Sequence, residues 1–173
     1  MRLIERTNTI LRLRKKVNEI GARKTERTLL LLKPGGMNVF NEVRNMVQRT
    51  VMANDFKVIR EGPVELTEAQ GFELYRQHEG QWYHSALAKQ VSSCWLYAMV
   101  VEGENAVAVI KRLAGPTKPE EAKIEAPGSI RGQFVIGSYA ESKARGEVVD
   151  NICHASGNVD EAEWEINIVS PGP

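Results

Sequence analysis

Cysteine is scarce in this sequence: Cys94 and Cys153 are the only two, and neither belongs to a C-x-x-C pair. That excludes a disulfide framework and any zinc site encoded by spacing, and it makes a reducing, cytoplasmic compartment the expected one. Long apolar runs are missing as well. No stretch approaches the ~20 residues that a membrane helix needs, and the N-terminal segment lacks the uninterrupted apolar core of a secretory signal. Proline is limited to 7 residues and the 14 glycines follow no period, so a collagen-like or low-complexity chain is excluded. What remains is a chain of 173 residues, 42% hydrophobic and 26% charged. That composition suits a globular protein with one core of ordinary size and at most a modest appendage.

The net charge of +1 conceals an uneven split. Residues 1–25 carry 8 Lys/Arg against 2 Glu, leaving 15 Lys/Arg against 20 Asp/Glu for the remainder. In the head, Arg2, Arg6, Arg12, Arg14, Lys15 and Lys16 interleave with Ile4, Ile10, Leu11, Leu13, Val17 and Ile20. Residues 1–24 therefore read as a basic extension: a flexible leader, a helix docked on the body or on a partner, or an organelle-targeting peptide, against which the absence of serine counts. Such a head also admits nucleic acid or another acidic partner. The domain proper is expected over residues 25–173.

The body alternates strand and helix signals. Thr28–Leu32 is a short continuous apolar run closed by Lys33, Pro34, Gly35 and Gly36, as for a central strand and its turn. Val39, Phe40, Val43, Met46, Val47 and Val51 then recur at helical spacing. Phe56–Leu66 reads as a second strand interrupted at Gly62 and Pro63, and Thr67 with Gln70 makes a capping box for the helix that follows. Ser85–Val91 adds a further turn or two. Trp95–Val101 reads as a third strand closed by Gly103. Ala106, Val109, Ile110, Leu113 and Ala114 form a helical face stopped by Gly115 and Pro116. A long loop is expected over Pro116–Ser129, a fourth strand over Gln133–Ile136, irregular chain over 137–150, and a last helix opened by Asn158 with Glu161 three positions later and carrying Trp164, Glu165 and Ile166. The alternation predicts an α/β (α+β) sandwich: a ferredoxin-like antiparallel four-stranded sheet with helices on one face.

Polar residues gather at the predicted strand ends and loops, where functional groups sit on a rigid scaffold. Lys33, Lys111, Arg112, Thr117, Arg131, Asn151 and His154 supply cations, a hydroxyl, an amide and an imidazole. That mixture suits a polyphosphate, whose oxygens take several charge-assisted hydrogen bonds at once.

The segments ERTLLLLKPGG, GPTKP, PGSIRG and NICHASG, with EAEWEI after them, stand in one order. In this the chain resembles the nucleoside diphosphate kinases, over roughly Thr25–Val169. The resemblance implies the ferredoxin-like sandwich and Mg²⁺-dependent, ping-pong transfer of the γ-phosphate from a nucleoside triphosphate such as ATP to a nucleoside diphosphate. His154 is implied as the nucleophile that carries the phosphate, oriented by Glu165 and Ser156. Lys33 and Arg131 are implied as phosphate-binding cations, Lys33 also in the catalytic set. Thr117 is implied as a phosphate-contacting hydroxyl, and Asn151 as the amide that reaches the sugar. Tyr75 falls near the phosphate end. Tyr83 is implied as the aromatic that stacks on the base, with Trp82 and His84, one position either side, as the alternatives, and Leu87 is implied to line the same slot. Stacking reads any flat base, so purines and pyrimidines are both expected. No side-chain metal ligand is implied; the nucleotide phosphates hold the Mg²⁺. His78 and His84 receive no role.

The departures from the family pattern are specific. Lys111 stands where the family has a phosphate-binding arginine, which keeps the charge and loses the planar fork. The family's K-P-D-G is K-P-G-G at Lys33–Gly36, and Gly157 replaces an aspartate, so two acidic supports are expected to be lost. Longer segments occur near Lys123–Ala126 and between Gly137 and Asp150, the second expected to make a hairpin or helical excursion near the site. Little chain follows Ile168 in this sequence, and a homo-oligomer is expected, with a dimer through the sheet and first helix its simplest form. The departures at Lys111, Gly36 and Gly157 also support a second reading, a catalytically weak nucleotide-binding regulatory module of the same fold.

Overall fold

Four consecutive leucines explain the architecture. In a computed structural model of the protein, which describes residues 25–135 and 137–169, strand β1 (Thr25–Leu32) buries Leu29, Leu30, Leu31 and Leu32 completely. Side chains alternate across a strand, so burying all four requires cover on both faces. Leu30 and Leu32 pack with Val43, Met46 and Val47 of helix α2 (Phe40–Ala53), which follows the single turn α1 (Pro34–Met37). Leu29 and Leu31 pack on the opposite side. The expectation of helices on one face is therefore wrong: the sheet is the filling of the sandwich.

Strand β1 pairs antiparallel with β3 (Leu96–Glu104) on one side and with β4 (Cys153–Ala155) on the other, and β2 (Lys57–Val64) closes the far edge, giving the order β2-β3-β1-β4. β2 continues through Gly62 and Pro63 instead of breaking there, because an edge strand tolerates a missing N–H. β3 likewise runs past Gly103.

Helix α3 (Glu68–Leu74) starts at the expected capping box: Gln70 N–H donates to Thr67 Oγ1 at 3.2 Å and Thr67 N–H to Gln70 Oε1 at 2.9 Å. A 3₁₀ turn over Arg76–His78 leads to α4 (His84–Ser92). Leu74 and Val91 from these helices cover Leu29 and Leu31, together with Ile166 of the last helix. α5 (Ala106–Ala114) covers the other face with Ile110 and Ala114.

The fourth strand was expected in the wrong place. Gln133 and Phe134 end helix α7 (Ile130–Phe134), whose start is capped by the Ser129 hydroxyl accepting from Gly132 N–H; Ile136 lies outside the described residues. The apolar run Phe134–Val135 imitates a strand, whereas the real β4 is only three residues long and has no run to show. Pro116–Ser129 is not all loop either, since it holds α6 (Pro119–Glu125), begun by Pro at its first position and Glu120 and Glu121 in its first turn. The 137–150 segment makes the anticipated helical excursion, α8 (Tyr139–Ala144). α9 (Val159–Ile168) begins where expected, at Asn158. The readings made for residues 1–24 lie outside the described residues. No described helix is long and apolar enough to cross a membrane.

Leu30 has no exposure and Met52 is 82% exposed. Replacing Leu30 by Ala is expected to cost about 2–5 kcal/mol in urea denaturation, and Met52→Ala no more than about 0.5 kcal/mol. Equal losses would contradict the assignment of β1 as the core strand.

Candidate functional site

The pairing Leu31↔His154 fixes where the imidazole lies. It puts His154 on the face of the sheet that carries Leu31, and one residue past Leu32 the chain reaches Lys33, whose N–H donates to the Ile152 carbonyl at 2.9 Å. Two strand ends thus bring an imidazole and an ammonium to one cleft.

Behind the ring lies a buried relay of contacts. Ser156 follows β4 and is bolted to β1 twice: its N–H donates to Leu29 O at 3.2 Å, and its hydroxyl accepts from Leu29 N–H at 3.3 Å. The same hydroxyl donates to Glu165 Oε2 at 2.6 Å. Glu165, 1% exposed, projects from α9 and sets Oε1 2.8 Å from His154 Nε2. That approach is oblique to the ring N–H, yet neither atom has another partner among the described residues, so each is the other's counterpart. The carboxylate thus stands at the Nε2 side of a ring that lines the cleft. The Tyr75 ring stands edge-on to the imidazole at 5.6 Å and 88°; burial, chiefly, pushes its phenol well above the usual range and keeps it neutral.

The cleft has a volume of about 1000 Å³. Lys33, Tyr75, Tyr83, Leu87, Lys111, Thr117, Arg131, Asn151 and His154 all line it, whereas Ser156 and Glu165 support it from behind. Lys33 is 2% exposed, and its ammonium donates to Gln90 Oε1 at 2.9 Å. Burial pushes its pKa down to about 8, with Arg131 adding repulsion and Asp150 opposing both. Arg131 donates to the Gly115 and Cys153 carbonyls, while its buried Nε has no partner among the described residues. The Asn151 Oδ1 is similarly orphaned, its amide nitrogen reaching only Thr117 O at 3.5 Å. Orphaned polar atoms at a cleft wall favour a polar ligand that satisfies them.

At the other end, Tyr83 and Trp82 both reach the cleft and meet edge-on at 5.6 Å. His84 instead packs on Phe72 and bonds its carbonyl at 3.3 Å. His78, given no role by the sequence, lines the cleft and shares a 3.2 Å hydrogen bond with the Tyr83 hydroxyl. Burial first, then the neighbouring His84 and His154 rings, lower its pKa. Lys111 anchors on the Gly157 carbonyl at 3.2 Å, with Arg112 also at the wall. Tyr139, Lys143 and Val149 bring the 137–150 segment to the same cleft.

The two acidic supports expected to be lost are resupplied from other positions. Gly35 N–H donates to Asp150 Oδ2 at 3.0 Å, and Gly157 N–H to Glu161 Oε2 at 3.0 Å. A Cβ at either glycine would lie 2.4 Å from that oxygen. Sequence reading missed Asp150 and Gln90, since no local pattern announces partners that lie so far along the chain from Gly35 and Lys33; Glu161 reads from the sequence only as the capping partner of Asn158.

The sequence profile described as Nucleoside diphosphate kinase matches residues 26–171. A nucleoside diphosphate kinase of Staphylococcus aureus (strain MSSA476) is 35% identical over 145 residues, covering 83% of this chain and 86% of that one. Among solved structures, the Aquifex aeolicus nucleoside diphosphate kinase aligns with a TM-score of 0.70 at 29% identity, over 84% of this chain and 94% of that one. The Borrelia burgdorferi enzyme, described as a transition-state mimic with bound vanadate and ADP, gives 0.71 at 28%, over 83% and 86%. That of Halobacterium salinarum, in complex with CDP, gives 0.66 at 28%, over 84% and 87%. With its antiparallel sandwich, its cation-lined cleft and a match that spans nearly all the described residues, this chain belongs to the nucleoside diphosphate kinase family.

Proposed function

We propose that the protein transfers the terminal phosphoryl group of a nucleoside triphosphate to a nucleoside diphosphate through a phosphohistidine at His154. The observation that carries this reading is the 2.8 Å approach of the buried Glu165 carboxylate to Nε2 of an imidazole that lines the cleft; in this reading Nδ1 is the nitrogen left free. The Nδ1 lone pair attacks the γ-phosphorus, the bond to the β–γ bridging oxygen breaks, and the diphosphate leaves with that electron pair. Glu165 stabilises the positive charge that the ring acquires while Nε2 keeps its proton. A second diphosphate then takes the phosphoryl group by the reverse path. The same carboxylate serves both halves of the cycle.

Phosphoryl transfer leaves a protein mainly the work of positioning and charge neutralisation. In this reading Lys33 and Arg131 face the transferring group, Lys111 and Thr117 the remaining phosphates, and Asn151 the sugar. Tyr83 stacks on the base against Leu87, and the neutral Tyr75 packs the imidazole. The divalent cation is Mg²⁺. It suits phosphate oxygens and water, which are the hard ligands it prefers, and among the described residues no group of three or more His, Cys, Asp or Glu side chains is placed to hold a metal. When bound with the nucleotide, the ion offsets phosphate charge; the lysines and Arg131 do so from the protein side. The open edge of β2, where Ile59 is 43% exposed, supports the expected dimer through the sheet. Residues 25–173 form the kinase unit in this reading, and 1–24 an extension of it.

His154→Ala is expected to abolish acid-labile labelling by γ-labelled ATP while nucleotide binding persists, and Glu165→Ala to slow transfer roughly 10²-fold without abolishing it. Turnover by His154→Ala at the parent rate would contradict the reading, as would an unchanged Glu165→Ala rate.

The Lys33 pKa of about 8 sets a pH dependence. Below pH 8 the ammonium is charged and ready for phosphate; above it the free enzyme loses that charge, so kcat/KM is expected to fall as pH rises through about 8. Lys33's contribution to stability moves the other way. Its folded pKa lies below the ordinary 10.5, so the unfolded chain binds more protons between about 8 and 10.5 and the folding penalty lessens across that window. A kcat/KM profile flat to pH 9.5 would contradict the assignment of Lys33.

A further inference from the structure

The segment that leads into His154 contains a backbone conformation that its sequence does not favour. Ile152 has φ of +58°, in the left-handed region that a β-branched side chain avoids. The turn is tight: Cys153 N–H donates to the Asn151 carbonyl at 2.7 Å. Such a residue persists only where its surroundings over-determine it. Two contacts do so here. The Ile152 carbonyl accepts from Lys33 N–H at 2.9 Å, and the Ile152 N–H donates to Asp150 Oδ1 at 3.0 Å.

The other oxygen of Asp150 reaches across to the neighbouring strand end. Oδ2 accepts from Gly35 N–H at 3.0 Å, two residues beyond Lys33. It can do so because position 35 has no side chain: a Cβ there would lie 2.4 Å from Oδ2 and 2.9 Å from the carboxyl carbon. Residues 35 and 150 therefore share one space, which glycine at the first leaves to the carboxylate of the second.

We infer that Asp150 is a positioning residue for the phosphate end of the cleft: its carboxylate clamps the Lys33–Gly36 turn to the Asn151–His154 segment and brings a negative charge to the turn that begins at Lys33. The inference rests on the proposed phosphate-binding role of Lys33. The groups that bear on Lys33 are few. Asp150 favours its charged form, Arg131 disfavours it, Cys153 has a smaller favourable influence, and Gln90 accepts its hydrogen bond at 2.9 Å. Burial is the largest effect and lowers the pKa. Asp150 is the leading opponent of that burial, so its removal moves Lys33 toward the neutral amine at pH values where the parent is still charged. A carboxylate that were merely structural would leave the lysine's titration where it is.

The test reads Lys33 directly, by the ¹⁵Nζ chemical shift as a function of pH in the parent, Asp150→Asn and Gly35→Ala. Asp150→Asn removes the charge and keeps the shape. Gly35→Ala keeps Asp150 and pushes its carboxylate out of the shared space, so it reaches the same end by a different route should the first variant fail to fold. Both are expected to move the Lys33 midpoint to lower pH by about 0.5 to 1. The double variant is expected to add nothing to Asp150→Asn alone, because the displaced group is already gone. An unmoved Lys33 midpoint in folded Asp150→Asn, or additive shifts in the double variant, would overturn the inference. ADP affinity separates this from the reading it rests on. At pH 8 the variants are expected to bind roughly two- to fivefold more weakly than the parent, with a smaller difference at pH 6.5. A displaced Lys33 titration with ADP affinity unaltered at both pH values would leave Asp150 in its role and remove Lys33 from phosphate binding.

Discussion

Three residue pairs between β1 and β4 carry the site. Leu30↔Ala155, Leu31↔His154 and Leu32↔Cys153 dock the shortest strand of the sheet on its most deeply buried one. Because β1 cannot move without disturbing both core clusters, His154 inherits the rigidity of the core. Lys33 inherits it too, as the next residue along β1. Ser156 extends the pairing by one more residue with two hydrogen bonds to Leu29, then spends its hydroxyl proton on Glu165. Packing therefore determines the orientation of the imidazole before any nucleotide arrives.

The charges around this rigid centre are only partly satisfied. Glu165 is buried but has Ser156 and His154, and Arg131 has two carbonyls yet an idle Nε. Lys33 is buried beside an amide and feels Asp150 and Arg131 at once. Buried cations held this way are costly in the free protein, since desolvation is not fully compensated. In the proposed reading, a phosphate entering the cleft supplies the missing negative charge. In that reading the incompleteness that weakens the fold locally favours the ligand, while burial brings the lysine's pKa down to about 8.

Local signals explain what was legible in the sequence. Thr67 with Gln70 and Asn158 with Glu161 announced two helix starts, because a capping residue and its partner lie within one turn. The leucine run announced the central strand. The ordered motifs that resemble the family led to the residues that line the cleft. What escaped was non-local or very short. β4 has three residues and depends on β1 to exist, so Phe134–Val135 outcompeted it as a strand signal. Cover on both faces was written in the uninterrupted burial of Leu29–Leu32, but the helix order alone did not reveal it. The exchange of a side chain at position 35 for a carboxylate from position 150 joins residues that no sequence window holds together.

The central claim is that Glu165 occupies Nε2 and leaves Nδ1 to receive phosphate. It is tested most directly by which ring nitrogen is phosphorylated. The protein, labelled by ATP and Mg²⁺ and unfolded at alkaline pH where phosphohistidine survives, distinguishes the two isomers by ³¹P–¹H correlation to the imidazole protons. Phosphate on Nδ1 of His154 is the predicted result. Phosphate on Nε2, the nitrogen that faces the buried carboxylate at 2.8 Å, would contradict the account.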